Sequence, residues 1–177
     1  MKTIKFCKYH GTGNDFIMID DRKLLFPKQN QTLIEELCHR RFGIGADGLI
    51  LIQTNKDYDF RMVYYNSDGY EGSMCGNGGR CTVAFAKWMG IINGYTKFIA
   101  VDGVHEAKIL DSGTISLKMT DVKNIDKLKQ DYFIDTGSPH YIKFVENLTT
   151  TDVIQEGKKY RHDKSIAHNG CNVNFIH

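Results

Sequence analysis

The sequence predicts a mixed α/β fold in two parts, in which short strands outnumber helices. Most apolar segments are short, often alternate with polar residues, and are separated by turns rich in Gly, Asn and Asp. Residues 78–89 form a largely apolar helical pattern, so we expect this helix to be enclosed by strands. The charged stretch 121–131 is typical of a connector between two structural units. We therefore predict one domain over residues 1–120 and a second over 121–177.

The elements of the first part follow in order along the chain. Strands are predicted over residues 3–9, 16–20, 49–53, 60–66, 98–101, 105–110 and 114–119. A first helix is predicted over 33–42, because Thr32 and Glu35 fit a capping box and Gly43 stands at its end. The apolar helix 78–89 follows and ends before Gly90.

The second part is short. Strands are predicted over residues 132–135, 141–145 and 172–176, with a helix over 152–160. Three strands and one helix bury too little apolar surface to be stable alone. The sequence therefore predicts that the second domain is incomplete in this chain.

Composition and charge narrow the function classes. The chain has 23 Lys and Arg against 21 Asp and Glu, a net charge of +2, which gives no signal for nucleic-acid binding. The N-terminal residues lack the apolar core of a signal peptide, and no apolar stretch reaches the length of about 18 residues that a membrane span needs. Five cysteines without a C-x-x-C pair favour a reducing cytoplasm, and their spacing from histidines predicts no metal site.

The most informative motif places Cys75 directly before a glycine-rich turn that opens a helix, over residues 74–80. Unpaired backbone N–H groups and the positive end of the helix dipole favour a thiolate there and can also bind a substrate carboxylate. A lone cysteine beside a tight turn is more often a packing residue. The surrounding glycines and asparagine favour the functional interpretation.

Three further clusters accompany this motif. Residues 10–16, which include Asn14, contain too much glycine for an ordinary two-residue hairpin, and either a binding loop or a wide hairpin loop fits them. Residues 66–72 lead straight to Cys75. Residues 43–48 match G-x-G-x-x-G, but a helix precedes the motif and a strand follows it, which is the wrong order for a dinucleotide-binding fold.

Five segments together resemble the diaminopimelate epimerase family. They are HGTGNDF (10–16), RRFGIGADGLI (40–50), YYNSDGYEGSMCGNGGRC (64–81), DTGSPHYIKF (135–144) and GCNVNF (170–175). The resemblance implies two pseudo-symmetric domains, each a curved β-sheet wrapped around a central helix, with the active site in the cleft between them. It also implies interconversion of LL- and meso-diaminopimelate, for lysine and peptidoglycan precursor synthesis. Two cysteines would transfer the proton without any cofactor or metal, in a homodimer.

The resemblance also assigns roles to individual residues. Cys75 matches the first catalytic thiol, and Gly76 with Asn77 matches the adjoining seat for the substrate carboxylate. Asn14, Asn66 and Asn172 match substrate-binding asparagines, and His140 matches a histidine that tunes the thiols. On its own, His140 after a proline is more typical of a turn residue that enters a strand.

Three departures from the family pattern qualify this assignment. Ser138 stands where the family often has Asn, and Gly48 stands at or near a position where many members have Gln. The second Cys-Gly-x-Gly motif is absent. The sequence leaves open a racemase of another amino acid on the same fold, or an inactive fragment or carboxylate-binding module. Faster alkylation of Cys75 than of the other thiols would favour catalysis.

Overall fold

The computed structural model describes residues 3–177, which divide into two compact units, one up to Met119 and the other Thr120–His177. The first unit contains β1 (Cys7–Gly11), β2 (Asn14–Asp20), α1 (Gln31–Cys38), β3 (Gly48–Gln53), β4 (Phe60–Asn66), α2 (Gly76–Trp88), β5 (Tyr95–Ala100), β6 (Gly103–Ile109) and β7 (Ile115–Leu117). The second contains β8 (Ile125–Leu128), β9 (Asp131–Asp135), β10 (Pro139–Phe144), α3 (Val153–Arg161) and β11 (Asn172–Ile176). Within residues 3–177, no helix has both the length and the apolar character that crossing a membrane would require.

The first unit is one seven-stranded sheet curled around α2. Its strands lie in chain order from β1 to β7, and the pairs β2–β3 and β4–β5 are parallel while the other pairs are antiparallel. Parallel neighbours need a crossover connection, and α1 and α2 supply these two crossovers. α2 contacts both edge strands, β1 and β7, as well as β2, β3 and β4. A helix can touch both edges of a sheet only if the sheet bends around it, so the predicted curved sheet with a central helix is confirmed in this unit.

The two faces of the sheet bury separate cores. All six residues of β3 are buried, as expected for a strand that is covered on both faces. Ile50 and Ile52 face the core that contains α2, whereas Leu49 and Leu51 face the core that contains α1. The buried residues of α2 are Gly78, Gly79, Cys81, Thr82, Val83, Phe85 and Ala86. The middle of α2, from Gly78 to Ala86, is therefore held inside the unit.

The second unit is a four-stranded sheet in the order β11-β10-β9-β8. β9 and β10 are antiparallel, α3 follows, and β11 returns parallel to β10, which repeats the order that β1, β2, α1 and β3 show in the first unit. Asp131 is buried and satisfied, because it accepts hydrogen bonds from Tyr141 Oη at 2.6 Å and from the Phe144 N–H at 3.0 Å. α3 packs against β11 but buries none of its own residues.

Some boundaries differ from those that the sequence predicted. The Thr32 capping box is wrong: α1 begins at Gln31, and Asn30 caps it by accepting from the Leu33 N–H at 3.0 Å. α1 also ends at Cys38 and not at residue 42. The loop that follows folds back over the helix end, where the N–H groups of residues 43–46 bind carbonyls of residues 37–39. The charged stretch 121–131 contains the exposed strand β8, which charge alone concealed.

Candidate active site

Cys75 is the N-cap residue of α2. Its backbone is extended (φ −108°, ψ 118°), and its Sγ accepts a hydrogen bond from the Gly78 N–H at 3.4 Å. Ser, Thr, Asp and Asn are the residues that helices prefer at this position, since their oxygens accept this bond well. A half-buried cysteine here brings a thiol to the positive end of a helix.

Asn14 reaches Cys75 from a tight hairpin. Gly11 pairs with Asn14, and the two residues between them, Thr12 and Gly13, have φ values of 54° and 89°. Positive φ at both positions fits a two-residue type I′ turn, so the prediction that the glycines exclude such a hairpin is wrong. The turn places Asn14 at the start of β2, where its Oδ1 accepts from the Cys75 thiol at a donor–acceptor distance of 3.6 Å.

Asn77 completes this group on the first turn of α2. Its Nδ2 donates to Asn14 Oδ1 at 3.4 Å, and its Oδ1 accepts a short hydrogen bond from the Arg80 guanidinium. The hairpin lies directly over Asn77, since a Cβ on Gly11 would come within 3.2 Å of the Asn77 Cβ. Glycine at position 11 thus lets the hairpin lie close enough for Asn14 to reach the helix.

A charged cluster holds the outer side of Asn14. Asn14 Nδ2 donates to Asp47 Oδ2 at 2.8 Å, and Arg40 bridges Asp47 Oδ1 at 2.6 Å and Asp15 Oδ1 at 2.8 Å. The hydrogen bond from Asn14 lowers the pKa of Asp47. Burial alone would raise the pKa of Asp15, but hydrogen bonds from Arg40 and Lys8 hold it well below its usual range. Both carboxyl groups are therefore ionised at neutral pH.

Asn66 lies at the end of β4 beside Tyr64. The Tyr64 hydroxyl donates to Asn66 Oδ1 at 2.8 Å, and burial raises the pKa of Tyr64. The phenol ring fills a slot between two glycines: a Cβ on Gly48 would lie 2.5 Å from the ring, and one on Gly72 2.6 Å from it. Any side chain at position 48 would therefore clash with the Tyr64 ring in its present orientation.

His140 and Asn172 lie together in the second unit. They are register partners on the parallel strands β10 and β11, where Asn172 is exposed and His140 is half-buried. Asn174, two residues on, places its Nδ2 3.0 Å from His140 Nδ1 and 3.5 Å from the Tyr141 carbonyl oxygen. A carbonyl only accepts, so Nδ2 is the donor and Nδ1 accepts. The proton of a neutral His140 is then on Nε2.

The other cysteines differ from Cys75 in their surroundings. Cys38, Cys81 and Cys171 are buried, and burial raises the pKa of Cys38 and of Cys81 to about 11 and raises that of Cys171. Cys7 is half-buried on β1. Within residues 3–177, no three His, Cys, Asp or Glu side chains are grouped so that they could hold a metal ion.

Comparison with known proteins decides the family. The family model described as diaminopimelate epimerase matches residues 6–125. The diaminopimelate epimerase of Flavobacterium psychrophilum is 54% identical over 174 residues, which cover 98% of this chain and 68% of the relative. The chain belongs to the diaminopimelate epimerase family. The enzymes of that name from Chlorobaculum tepidum and Aquifex aeolicus are 44% and 36% identical, and they are covered over 67% and 68% of their length. The chain thus spans about two thirds of the length of these epimerases.

Solved structures support the fold class. A probable proline racemase from Agrobacterium radiobacter K84, solved with bound carbonate, matches with a TM-score of 0.66 at 14% identity, over 98% of this chain and 66% of the other. A phenazine biosynthesis protein of the PhzF family from Bacillus anthracis matches with a TM-score of 0.62 at 20% identity, over 84% and 58%. At such identities the likeness is one of fold. These structures confirm the predicted epimerase-like fold, and the family model with the named epimerases confirms the isomerase class of enzyme.

The structure brings some of the predicted epimerase residues together and adds others. Asn14, Cys75 and Asn77 form one hydrogen-bonded group, whereas Asn66 bonds to Tyr64. Four polar residues that the sequence did not single out contact the predicted ones: Asp47, Tyr64, Arg80 and Asn174. Each lies inside a segment that resembles the family. The sequence contains these residues in its motifs, but only the structure shows which side chains bond to one another.

Proposed function

We propose that this chain carries one of the two acid/base thiols of a diaminopimelate epimerase, and that Cys75 is this thiol. The observation that carries the proposal is the cysteine at the N-cap of α2, within hydrogen-bonding distance of Asn14, to which Asn77 also donates. The first N–H groups of a helix have no partner inside the helix. In this arrangement a reactive thiol and the donors for a carboxylate stand side by side.

The chemistry follows from these groups. The α-carboxylate of the substrate is bound by the N–H groups of Gly76 and Asn77 at the positive end of α2. The Cys75 thiolate takes the α-proton and becomes a thiol, and the electron pair of the broken C–H bond spreads into the carboxylate. Donors at that carboxylate stabilise the charge that develops there. Return of a proton to the opposite face of the carbon, from a second thiol of the enzyme, inverts the centre.

The other predicted residues complete the proposal. Asn66 contacts the substrate with its amide nitrogen, because the Tyr64 hydroxyl already binds its oxygen. Asn172 binds the substrate, and His140 tunes a thiol, as the family resemblance implies. The substrate is a small molecule. A homodimer remains a prediction from the same resemblance, and a cytoplasmic location remains a prediction from the cysteine content.

Exchange of the α-proton tests the role of Cys75. Diaminopimelate is incubated in heavy water with the folded 177-residue chain, and loss of the α-proton signal is followed by proton NMR. We expect exchange with the wild-type chain and none with Cys75→Ala. Cys81→Ala, which removes a buried thiol from the same helix, serves as the matched control and should retain exchange. Exchange that survives in Cys75→Ala, or that is absent from the folded wild-type chain, contradicts the proposal.

A further inference from the structure

Four polar side chains form one continuous hydrogen-bonded chain across the site. Arg80 donates to Asn77 Oδ1, Asn77 Nδ2 donates to Asn14 Oδ1, and Asn14 Nδ2 donates to Asp47 Oδ2. The Cys75 thiol joins this chain in the middle, at Asn14 Oδ1. Asn77 and Arg80 lie on α2, Asn14 lies at the start of β2, and Asp47 lies in the loop before β3. The chain of hydrogen bonds therefore links that loop to the hairpin and to the helix.

The two ends of the chain have fixed polarity. A guanidinium can only donate hydrogen bonds, and an ionised carboxylate can only accept them. Arg80 therefore requires the oxygen of Asn77 on its side, and Asp47 requires the nitrogen of Asn14 on its side. Both carboxamides between them are set in one orientation, and neither can flip without placing like groups against each other.

Asp47 is itself held in place. Its Oδ2 also accepts from the Asp15 N–H at 3.1 Å, and its Oδ1 accepts from Arg40 at 2.6 Å. The Asp47 N–H in turn donates to the Asp15 carbonyl at 3.0 Å. These bonds fix the carboxylate relative to β2, so the acceptor that Asn14 meets is in position before any substrate binds.

We propose that Asp47 is a positioning residue for the reaction: it turns the Asn14 carboxamide so that its oxygen faces Cys75, and thereby favours the protonated thiol in the resting site. A thiol can donate to that oxygen, whereas a thiolate at the same distance would face its lone pairs. The Gly78 N–H opposes this effect, because it donates to Sγ and is a better partner for the thiolate. Binding of substrate to Asn14 would release the oxygen and let Cys75 act as a base. The inference rests on the proposed function, since it concerns the same thiol.

The ionisable groups Tyr64, Cys81 and Arg80 near Cys75 each keep one charge state near neutral pH. Burial raises the pKa of Tyr64 on β4 and raises the pKa of Cys81 on α2 to about 11, so both stay neutral near neutral pH. Arg80 on α2 stays positive. His10 at the end of β1 is turned to the hairpin, where its Nδ1 lies 3.4 Å from the Gly13 N–H. A shift in Cys75 behaviour on changing Asp47 therefore reports on Asn14 or on the lost charge itself.

The pH profile of Cys75 alkylation separates these two effects. Iodoacetamide labelling is followed between about pH 5 and 10 by mass spectrometry of the Cys75 peptide. Asp47→Asn replaces an acceptor by a group that also donates, so Asn14 can turn its nitrogen to the thiolate. We expect the midpoint of the profile to fall by about one pH unit, which raises the thiolate fraction at pH 7. Labelling at pH 7 should become only about threefold faster, because a thiolate of lower pKa is also a weaker nucleophile.

Two variants serve as controls. Asp15→Asn removes the same charge from the same cluster but leaves the bond between Asn14 and Asp47, and should shift the midpoint much less. Asn14→Ala should lower the midpoint by itself and abolish the further effect of Asp47→Asn. Equal shifts in the two Asp→Asn variants, or an unchanged Asp47 effect in the Asn14→Ala background, would overturn the inference. Alkylation needs no substrate, so a negative result here is separate from a failure of α-proton exchange.

Discussion

The N-termini of α2 and α3 are capped by different residues, although the first turn of each helix has the same unpaired N–H groups. At α3, Asp152 accepts from the Gln155 N–H at 3.0 Å, and Glu156 adds a negative charge in the first turn. At α2, Cys75 accepts from the Gly78 N–H at 3.4 Å, and no acidic residue lies in the first turn. The cap of α3 is what helix stability alone favours. The cap of α2 is a weaker acceptor, which supports the proposed use of this position for chemistry.

The two helices also differ in how deeply they are buried. Seven residues of α2 are buried, whereas α3 buries none. A helix that is enclosed by its sheet presents its first turn in a fixed position, and this is what an acid/base group needs. Stability lost at the weak cap of α2 is offset by the apolar packing along the rest of the helix.

Replacing Cys75 by serine should give the largest effect and sharpen this comparison. Serine is a preferred N-cap residue of nearly the same shape, so the free energy of unfolding should stay equal or rise by up to about 1 kcal/mol. Exchange of the α-proton should fall by more than about a hundredfold, since a hydroxyl is a far weaker acid than a thiol. Far-UV circular dichroism reports on unfolding. A large loss of stability would mean that Cys75 is a packing residue.

Glycine-to-alanine changes in the two helices should have opposite signs. A Cβ on Gly79 in α2 would lie 2.6 Å from Met74 Cε and 2.8 Å from Leu117 Cδ2, so Gly79→Ala should destabilise by about 2 kcal/mol despite the gain in helix propensity. A Cβ on Gly157 in α3 would meet only Phe175 Cε2, at 3.9 Å. Gly157→Ala should stabilise its unit by up to about 1 kcal/mol. Urea titrations of both variants test the pair, and a stabilising Gly79→Ala would contradict the tight packing of α2.

Acid should weaken the α2 site through Asp15. The folded state lowers the pKa of Asp15, so its ion pairs with Arg40 and Lys8 stabilise the first unit fully above the unfolded value near 4. This contribution declines as the pH falls below about 4 towards the lower folded value. Asp15→Asn should therefore cost about 1 to 2 kcal/mol at pH 7 and less at pH 3. A cost that is equal at both pH values would argue against these ion pairs.

The smallest effect is expected at the cap of α3. Asp152→Ala removes a side-chain acceptor and should destabilise the helix by about 1 kcal/mol. Amide hydrogen exchange in residues 153–161 should become faster, while α-proton exchange and Cys75 labelling stay unchanged. A change in Cys75 labelling would contradict the expectation that the Asp152 cap acts only on its own helix.

The sequence was sufficient to predict the apolar helix α2 and to place Cys75 directly before it. Glycines before an apolar helical pattern locate α2 to within two residues, because both signals are local. The cap of α1 was misplaced, since Thr32 and Asn30 are both good caps and the loop before the helix decides between them. The two-residue hairpin was missed because a threonine with positive φ, such as Thr12, is rare, and the sequence pattern does not predict one.

The side-chain partners of the site could not be predicted. Asp47 meets Asn14 because β2 and β3 pair in parallel with Phe16 opposite Gly48, and no local pattern encodes that register. Tyr64 reads as an ordinary strand aromatic. Only its fit between Gly48 and Gly72 reveals why two glycines are required there. Long-range pairing therefore supplies the part of the site that motifs do not contain.

The most direct test of the account is the relative alkylation rate of the five thiols in the folded chain. With iodoacetamide at pH 7.5, we expect Cys75 to be labelled first and to be protected by diaminopimelate. Cys38 and Cys81 should remain unlabelled, because a thiol with a pKa of about 11 is less than about one part in a thousand thiolate at this pH. Labelling of Cys75 as slow as that of these buried thiols, or unaffected by diaminopimelate, would contradict the assignment of Cys75 as the acid/base thiol.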